Sequence, residues 1–431
     1  MVRGRNLNGY PPLSDIIRQY SRDEVLVIAE IGSSHRGDLS RAKELIDLAA
    51  EQGLTAVKTQ WIIAEEILHP LTGNVALPGG NIDLFRRFRE LERPDEFYAE
   101  LHAYCKKKKI LFLCSAFGQE SAGKLIRTGA EIMKIASPEL GFHELRNAVL
   151  ASGIPVIFST GVKYQDDITA AVSDLTAECY PAENLYGLHC VTSYPAAENE
   201  MNVSALVGLT AACKVPFGLS DHSIDPYFIP SLAACVFSSS QNTAGKVFIL
   251  EKHLTLTNDD GGLDDPIAVQ GKDFGLLFTL LGKIRQSAFR NNLRLNHAAC
   301  STADTNSAAD IRDYAGLCAE IIREAALNCG VGNIFDEGIN FNERITAALG
   351  DGIKQPSVSE ESIYRTTNRS LLAVRDIAQG DLITENNARY LRSEKNLTPG
   401  LGMQHWRVIG NARARNPVRN GSGIQLSDLE I

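Results

Sequence analysis

Eight short apolar runs, each followed by a segment of helical character, fill residues 25–286 and leave few folds open to this chain. The runs fall at residues 25–31, 55–60, 110–114, 132–136, 155–158, 185–189, 217–222 and 247–253. A strand buried on both faces reads as a continuous apolar run, and parallel strands need a crossover long enough to hold a helix. Eight such units in about 265 residues is the arithmetic of a (β/α)8 TIM barrel, with a doubly wound open sheet as the other arrangement of the same alternation. Barrel enzymes carry their chemistry at the carboxyl ends of the strands, so polar residues should gather there.

The strand ends supply Glu30, Lys58 with Gln60, Ser115, Lys134 with Ser137 and Glu139, Ser159, Tyr194, and Ser220. A lysine inside an apolar strand costs several kcal/mol if it stays charged and unpaired. Lys58 and Lys134 are therefore either structural ion pairs, for instance with Glu30 or Glu139, or, with the nearby hydroxyls, a cradle for phosphate or carboxylate. The last two runs, Phe217-Gly-Leu-Ser-Asp-His222 and Val247-Phe-Ile-Leu-Glu-Lys-His253, each end in a histidine. Neighbouring strands would set these imidazoles side by side over a shared divalent ion; the alternative is two histidines satisfied by their own surroundings.

The remaining sequence narrows the function by exclusion. A net charge of −9 argues against general affinity for nucleic acid, which rests on basic surface. The one basic run, Lys106 to Lys109, reads as the end of a helix, where cations favour the dipole. No apolar run has the roughly 18 to 20 residues of a membrane span, and the first residues, with Arg3 and Arg5, lack the apolar core of a secretory signal. Nine cysteines without a C-x-x-C pair suit free thiols, and a cytoplasmic location is expected.

Three domains are expected: a barrel over residues 1–290, an insertion and linker over 291–366, and a small, mostly β domain over 367–431. Residues 61–91 read as an irregular stretch long enough to be functional, and 351–367 as a polar linker.

The segments Ala29-Glu-Ile-Gly32, Ala56-Val-Lys-Thr-Gln60, Lys134-Ile-Ala-Ser-Pro-Glu139, Ser159-Thr-Gly161, Gly218-Leu-Ser-Asp-His222, Glu251-Lys-His253 and Arg369-Ser-Leu-Leu-Ala373 resemble, in order, those of the sialic acid synthase family. Its members make N-acetylneuraminate and related nine-carbon ulosonic acids, and the last domain resembles their antifreeze-like SAF domain. The resemblance implies condensation of phosphoenolpyruvate with the open-chain aldehyde of an N-acyl hexosamine, with release of phosphate. Manganese or magnesium (Mn2+ or Mg2+) would sit on His222 and His253. Contacts to phosphoenolpyruvate would fall on Lys58, Ser115, Lys134, Ser137, Ser159 and Ser220. Glu30, Gln60, Tyr194 and Asp264 would face the sugar and the ion, and Thr192 stands where many members place an asparagine near the sugar. Glu30 or Glu139 would steer the water that traps the intermediate. In a domain-swapped homodimer, Arg392 would reach the sugar's N-acyl group. Here that arginine is followed by Ser-Glu-Lys, where the family commonly has Pro-Gly, and the turn at residues 33–37 also departs from the family's usual sequence. The rival readings are a phosphoenolpyruvate-dependent synthase of seven- or eight-carbon ulosonates and a non-catalytic, sugar-binding relative.

Overall fold

The computed structural model describes residues 9–77, 80–240, 247–290, 308–335 and 340–431. Eight parallel strands follow one another around a closed barrel: β1 (Val25–Glu30), β2 (Ala56–Gln60), β3 (Leu111–Ala116), β4 (Met133–Ile135), β5 (Val156–Ser159), β6 (Leu185–Cys190), β7 (Phe217–Asp221) and β8 (Phe248–Thr255). Closure comes from β1 pairing in parallel with β8, from Val25 opposite Phe248 to Glu30 opposite His253. The closed order excludes the open sheet.

Side chains alternate along each strand, and here both faces are apolar. On β1, Val25, Val27 and Ala29 pack against the helices, while Leu26 and Ile28 join the barrel interior with Ala56, Leu111, Leu113, Ile132, Ile157 and Ile249. Helix Leu13–Tyr20 plugs the amino end of that interior with Leu13, Ile16 and Ile17. The interior stays apolar for two layers. The next inward position on each strand is polar: Glu30, Lys58, Ser115, Lys134, Ser159, Ser220 and Glu251, with Cys190 the exception. Strand periodicity alone thus collects these groups in one layer. Gly218 occupies an inward position where a Cβ would lie 2.1 Å from the Ile249 carbonyl oxygen, so only glycine lets β7 approach β8 so closely.

The basic run ends helix Asp95–Lys108, as expected, with Lys109 in the left-handed region. The eight described cysteines are all free. No described helix is long and apolar enough to cross a membrane.

Two stretches differ from the sequence reading. Residues 61–91 are not irregular: a hairpin pairs Asn74–Leu77 with Gly80–Asp83, and helix Leu84–Leu91 follows. Pro78 and Gly79, between the hairpin's two strands, lie outside the described residues. The polar linker is also structured. Helices Ala308–Asn328 and Phe341–Leu349 pack on helix Ile229–Ser240, which follows β7. Beyond them Lys354 and Glu360 are fully buried, Lys354 donating to the Cys190 carbonyl at 3.3 Å. Residues 241–246, in the long connection between the two histidines, and 291–307, in the expected insertion, lie outside the described residues.

In the C-terminal domain, β9 (Arg369–Ala373) and β10 (Ala388–Arg392) form an antiparallel pair with Arg369 opposite Arg392. The domain docks on the carboxyl end of the barrel. The Arg369 guanidinium donates to the carbonyls of Glu66 (2.6 Å) and Phe117 (2.6 Å), and Asn396 donates to the Asn74 carbonyl at 2.7 Å.

Candidate active site

A cavity of about 440 Å³ opens at the carboxyl ends of the strands, beneath the C-terminal domain. Its floor holds two buried lysines, and one carboxylate bridges them. Glu251 lies 3.7 Å from the Lys58 ammonium and 3.8 Å from that of Lys134, and it accepts a hydrogen bond from Ser220 at 3.2 Å. Lys58 also pairs with Glu30 and reaches Ser115 at 3.4 Å, and Lys134 donates to Ser159 at 2.6 Å. Ser137 accepts from the Gly161 amide at 2.8 Å, which leaves its hydroxyl proton for another acceptor.

Burial and charge compete across this layer. Burial opposes ionisation of Glu251, but Lys134 and Lys58 outweigh it and hold the carboxyl below its usual range. Burial likewise works against the charge of Lys58, yet Glu251 and Glu30 keep it protonated beyond ordinary lysine. For Lys134 burial wins, and its pKa falls. Burial also pushes Glu30 up to about 7, despite Lys58. The layer is thus close to neutral and offers two ammonium groups only loosely balanced, which suits an incoming anion.

Beside the lysines lie the two imidazoles, with ring centroids 5.5 Å apart. His222 follows the end of β7, whereas His253 sits within β8, two residues past Glu251 and on the same inward face. His222 donates through Nδ1 to the Val191 carbonyl at 2.8 Å, which leaves the Nε2 lone pair free. Burial opposes its protonation, but Cys190 and the Val191 carbonyl raise its pKa to about 9, so without an ion that lone pair holds a proton, which a bound ion would have to displace. His253 is held neutral by burial and by the surrounding cations, and neutral imidazole is the form that ligates metal. Two imidazoles on one ion at about 2.1 Å bring their centroids roughly 5 to 6 Å apart, so the pair fits a divalent ion. Among the described residues no group of three or more histidine, cysteine or carboxylate side chains makes a closed metal cage, so any ion here would keep positions open. Asp264 lies 4.0 Å from His253 Nδ1. Gly32, at φ +34°, leaves room for Asp264, Glu30 and Gln60 to converge on it; a Cβ there would lie 2.9 to 3.4 Å from all three.

Of the residues expected from the sequence, the lysines, the four serines and the histidines line this one cavity, as do Gln60, Thr192, Tyr194, Asp264 and Arg392. Tyr194 stacks on His222 with centroids 4.3 Å apart. Glu30 and Glu139 lie behind the lining. Glu139 is completely buried and is not the partner of Lys134: Arg392 holds it at 2.8 Å through both oxygens, and Arg369 lies 3.2 Å away. Arg392 is thus engaged by Glu139, and it reaches the mouth from its own chain. Two parts of the site escaped the sequence reading. Glu251, read from the sequence only as a strand-end polar residue beside His253, is the hub between the lysines, and its position two residues before His253 in a period-2 strand was the signal for that role. The segment around helix Val358–Glu361 brings Ser359, Ser362, Ile363 and Thr367 into the wall. Glu360 pins this wall to the barrel by accepting from the amides of Val162 (2.6 Å) and Thr192 (2.6 Å).

A closed (β/α)8 barrel with paired lysines and paired imidazoles at its carboxyl face, capped by a small β domain, has the layout of a barrel enzyme with its site at the strand ends. The chain belongs to the NeuB family, whose model matches residues 45–290, and residues 368–430 match the SAF domain. It is 26% identical over 397 residues to the N,N'-diacetyllegionaminic acid synthase of Campylobacter jejuni, covering 91% of this chain and 97% of that one. It is 32% identical over 247 residues to the spore coat polysaccharide biosynthesis protein SpsE of Bacillus subtilis, covering 57% and 63% of the two. The crystal structure of SpsE matches with a TM-score of 0.67 at 25% identity over 94% of this chain and 95% of that one. That of N-acetylneuraminic acid synthetase from Leptospira borgpetersenii, in complex with citrate, matches with a TM-score of 0.55 at 30% identity over 64% and 88%. Named relatives are synthases of sugar acids, and this chain is an enzyme of that transferase type.

Proposed function

We propose that this enzyme condenses phosphoenolpyruvate with the open-chain aldehyde of an N-acyl hexosamine, such as N-acetylmannosamine or a diacetamido hexose, to give a nine-carbon ulosonic acid and phosphate. The observation that carries this reading is the convergence of Lys58, Lys134 and Glu251 with His222 and His253 on one cavity.

Lys58 and Lys134, helped by the Ser115, Ser137, Ser159 and Ser220 hydroxyls, would hold the phosphate and carboxylate of phosphoenolpyruvate. His222 and His253 would bind Mn2+ or Mg2+, which when bound supplies Lewis acidity to the aldehyde. Tyr194, Thr192, Gln60 and Asp264 would orient the sugar so that its carbonyl carbon meets the nucleophilic enol carbon. Water must then trap the oxocarbenium-like carbon before phosphate leaves. Glu30 suits the proton transfer of that step better than Glu139, because a carboxyl near pH 7 can both take and return a proton, whereas two arginines hold Glu139. The wall and the C-terminal domain would shield the intermediate from bulk water.

The test is phosphate release from phosphoenolpyruvate with Mn2+ and a panel of N-acyl hexosamines. Release only with an aldopentose or aldotetrose phosphate, or with no sugar at all, refutes the reading. His222→Ala and His253→Ala should each abolish Mn2+-dependent turnover and Mn2+ binding while the protein stays folded. A homodimer that exchanges C-terminal domains belongs to the same reading, with the docking seen here within one chain then made between two; mixing inactive Arg392→Ala and His222→Ala chains restores activity only if domains are exchanged.

A further inference from the structure

The cavity wall carries a carboxylate with no hydrogen-bond or ion-pair partner among the described residues. Immediately after β10 the chain turns at Ser393 and Glu394, and Glu394 takes φ +49° in the left-handed region, an uncommon conformation for a residue with a side chain. Its amide donates to the Thr366 carbonyl at 3.0 Å, which fixes the turn to the wall segment. Its carboxylate is partly buried and lines the same cavity as the two histidines, yet it makes no hydrogen bond or ion pair among the described residues. Arg392, two residues earlier, is committed to Glu139. Burial raises the pKa of Glu394, and Glu139 adds to that, while Arg392 and Lys395 act in the opposite direction.

The Glu394 carboxylate faces the cavity rather than the packed interior, so a ligand's donors can take the place of the water it meets there. The condensation fixes the order of groups along the cavity: the aldehyde must meet the floor of lysines and imidazoles, so the rest of the sugar extends towards the wall that holds Tyr194, Ser359 and Glu394. Groups arriving at a carboxylate must donate. The hydroxyls and amide N–H groups of a neutral sugar do so, whereas a phosphate ester brings only acceptors and like charge. Lys395 shares this part of the lining and compensates the Glu394 charge, but it cannot supply the geometry of a fixed acceptor.

We propose, on the basis of the condensation reading above, that Glu394 is a specificity-determining residue for the acceptor: its carboxylate takes hydrogen bonds from hydroxyl or amide N–H groups of an unphosphorylated N-acyl hexosamine and disfavours acceptors phosphorylated at that end. The test measures phosphate release at saturating phosphoenolpyruvate for wild type, Glu394→Ala, Glu394→Gln and Glu394→Gly, with N-acetylmannosamine, its 6-phosphate and a 2,4-diacetamido hexose. For whichever neutral sugar the wild type uses, Glu394→Ala should raise the acceptor KM by roughly 10- to 100-fold with kcat and the phosphoenolpyruvate KM nearly unchanged. Glu394→Gln keeps an acceptor oxygen and should recover most of the loss. Glu394→Gly suits the left-handed backbone, so it should melt no lower than wild type and still lose acceptor affinity, which a merely structural role would not produce. An unchanged acceptor KM in Glu394→Ala, or a wild type that prefers the 6-phosphate, overturns the proposal. If the wild type releases phosphate with no sugar, the condensation reading fails separately, and saturation-transfer NMR with the same sugars decides on Glu394. Binding to wild type that is lost in Glu394→Ala upholds the inference; equal binding, or none to wild type, overturns it.

Discussion

Glu251→Gln is the sharpest probe of the site, because it removes one charge and almost no volume. Its carboxylate sits 3.7 and 3.8 Å from two ammonium groups that are themselves almost fully buried. At an effective dielectric near 20, each attraction is worth about 4 kcal/mol. Desolvation of Glu251 offsets much of that sum, and removing one partner of a buried ion pair usually costs about 3 to 5 kcal/mol net. Lys58 keeps Glu30, so the loss falls chiefly on Lys134, whose charge burial already disfavours. The ligand-free variant should therefore melt lower, by on the order of 3–6 °C. Phosphate should then restore stability more strongly in the variant than in wild type, because an arriving anion replaces the missing carboxylate. Scanning calorimetry with and without phosphate reads both effects. A variant that melts with wild type, or that gains no more from phosphate than wild type does, would refute the idea that Glu251 balances the two lysines.

Other perturbations address separate parts of the molecule. Glu139→Gln strands the Arg369 and Arg392 guanidiniums beneath the C-terminal domain, at a cost of about 3 to 5 kcal/mol, and limited proteolysis should release residues 368–431 faster than in wild type. Acid should destabilise the fold through His35 and His189, which burial lowers to about 4 and about 3. Their unfolded forms titrate near 6.5, so this stability is present above that pH and is lost as pH falls through 6.5 towards 4. The two together account for about 4 kcal/mol between pH 7.5 and 5, and replacing them with glutamine should flatten denaturant midpoints over that range. Gly218→Ala forces a Cβ against the Ile249 carbonyl and should lower both the melting temperature and turnover, since Ser220 and His222 move with β7.

Much of this architecture could be read from local pattern, and the reason is physical. A polar residue that interrupts an apolar strand is conspicuous, and strand periodicity forces Lys58, Lys134, His222 and His253 to one end of one barrel. What stayed hidden depends on partners far apart in the chain. The Arg392–Glu139 pair spans 253 positions and leaves no local trace. The 351–367 segment looked like a linker because its composition is polar, yet Glu360 is buried at no visible expense, since three backbone amides satisfy it. The hairpin before helix Leu84–Leu91 was hidden because Pro78-Gly-Gly80 interrupts its sequence as a loop would. Glu251 was legible as a polar residue near the end of its run, but that it bridges Lys58 and Lys134 depends on two strands more than a hundred positions away.

The docking of Arg369 and Arg392 on Glu139 also sets an order of events during synthesis. A ribosome that adds roughly 5 to 20 residues per second needs on the order of 10 to 50 seconds to progress from Glu139 to Arg392. For most of that interval a nascent barrel can complete its eight strands while its mouth stays open to water and Glu139 has neither arginine; Arg369 is added 23 residues before Arg392. The final stretch of the chain therefore acts as the closing step of assembly, and a protein truncated before β9 would keep its lysines and histidines in a basin open to water.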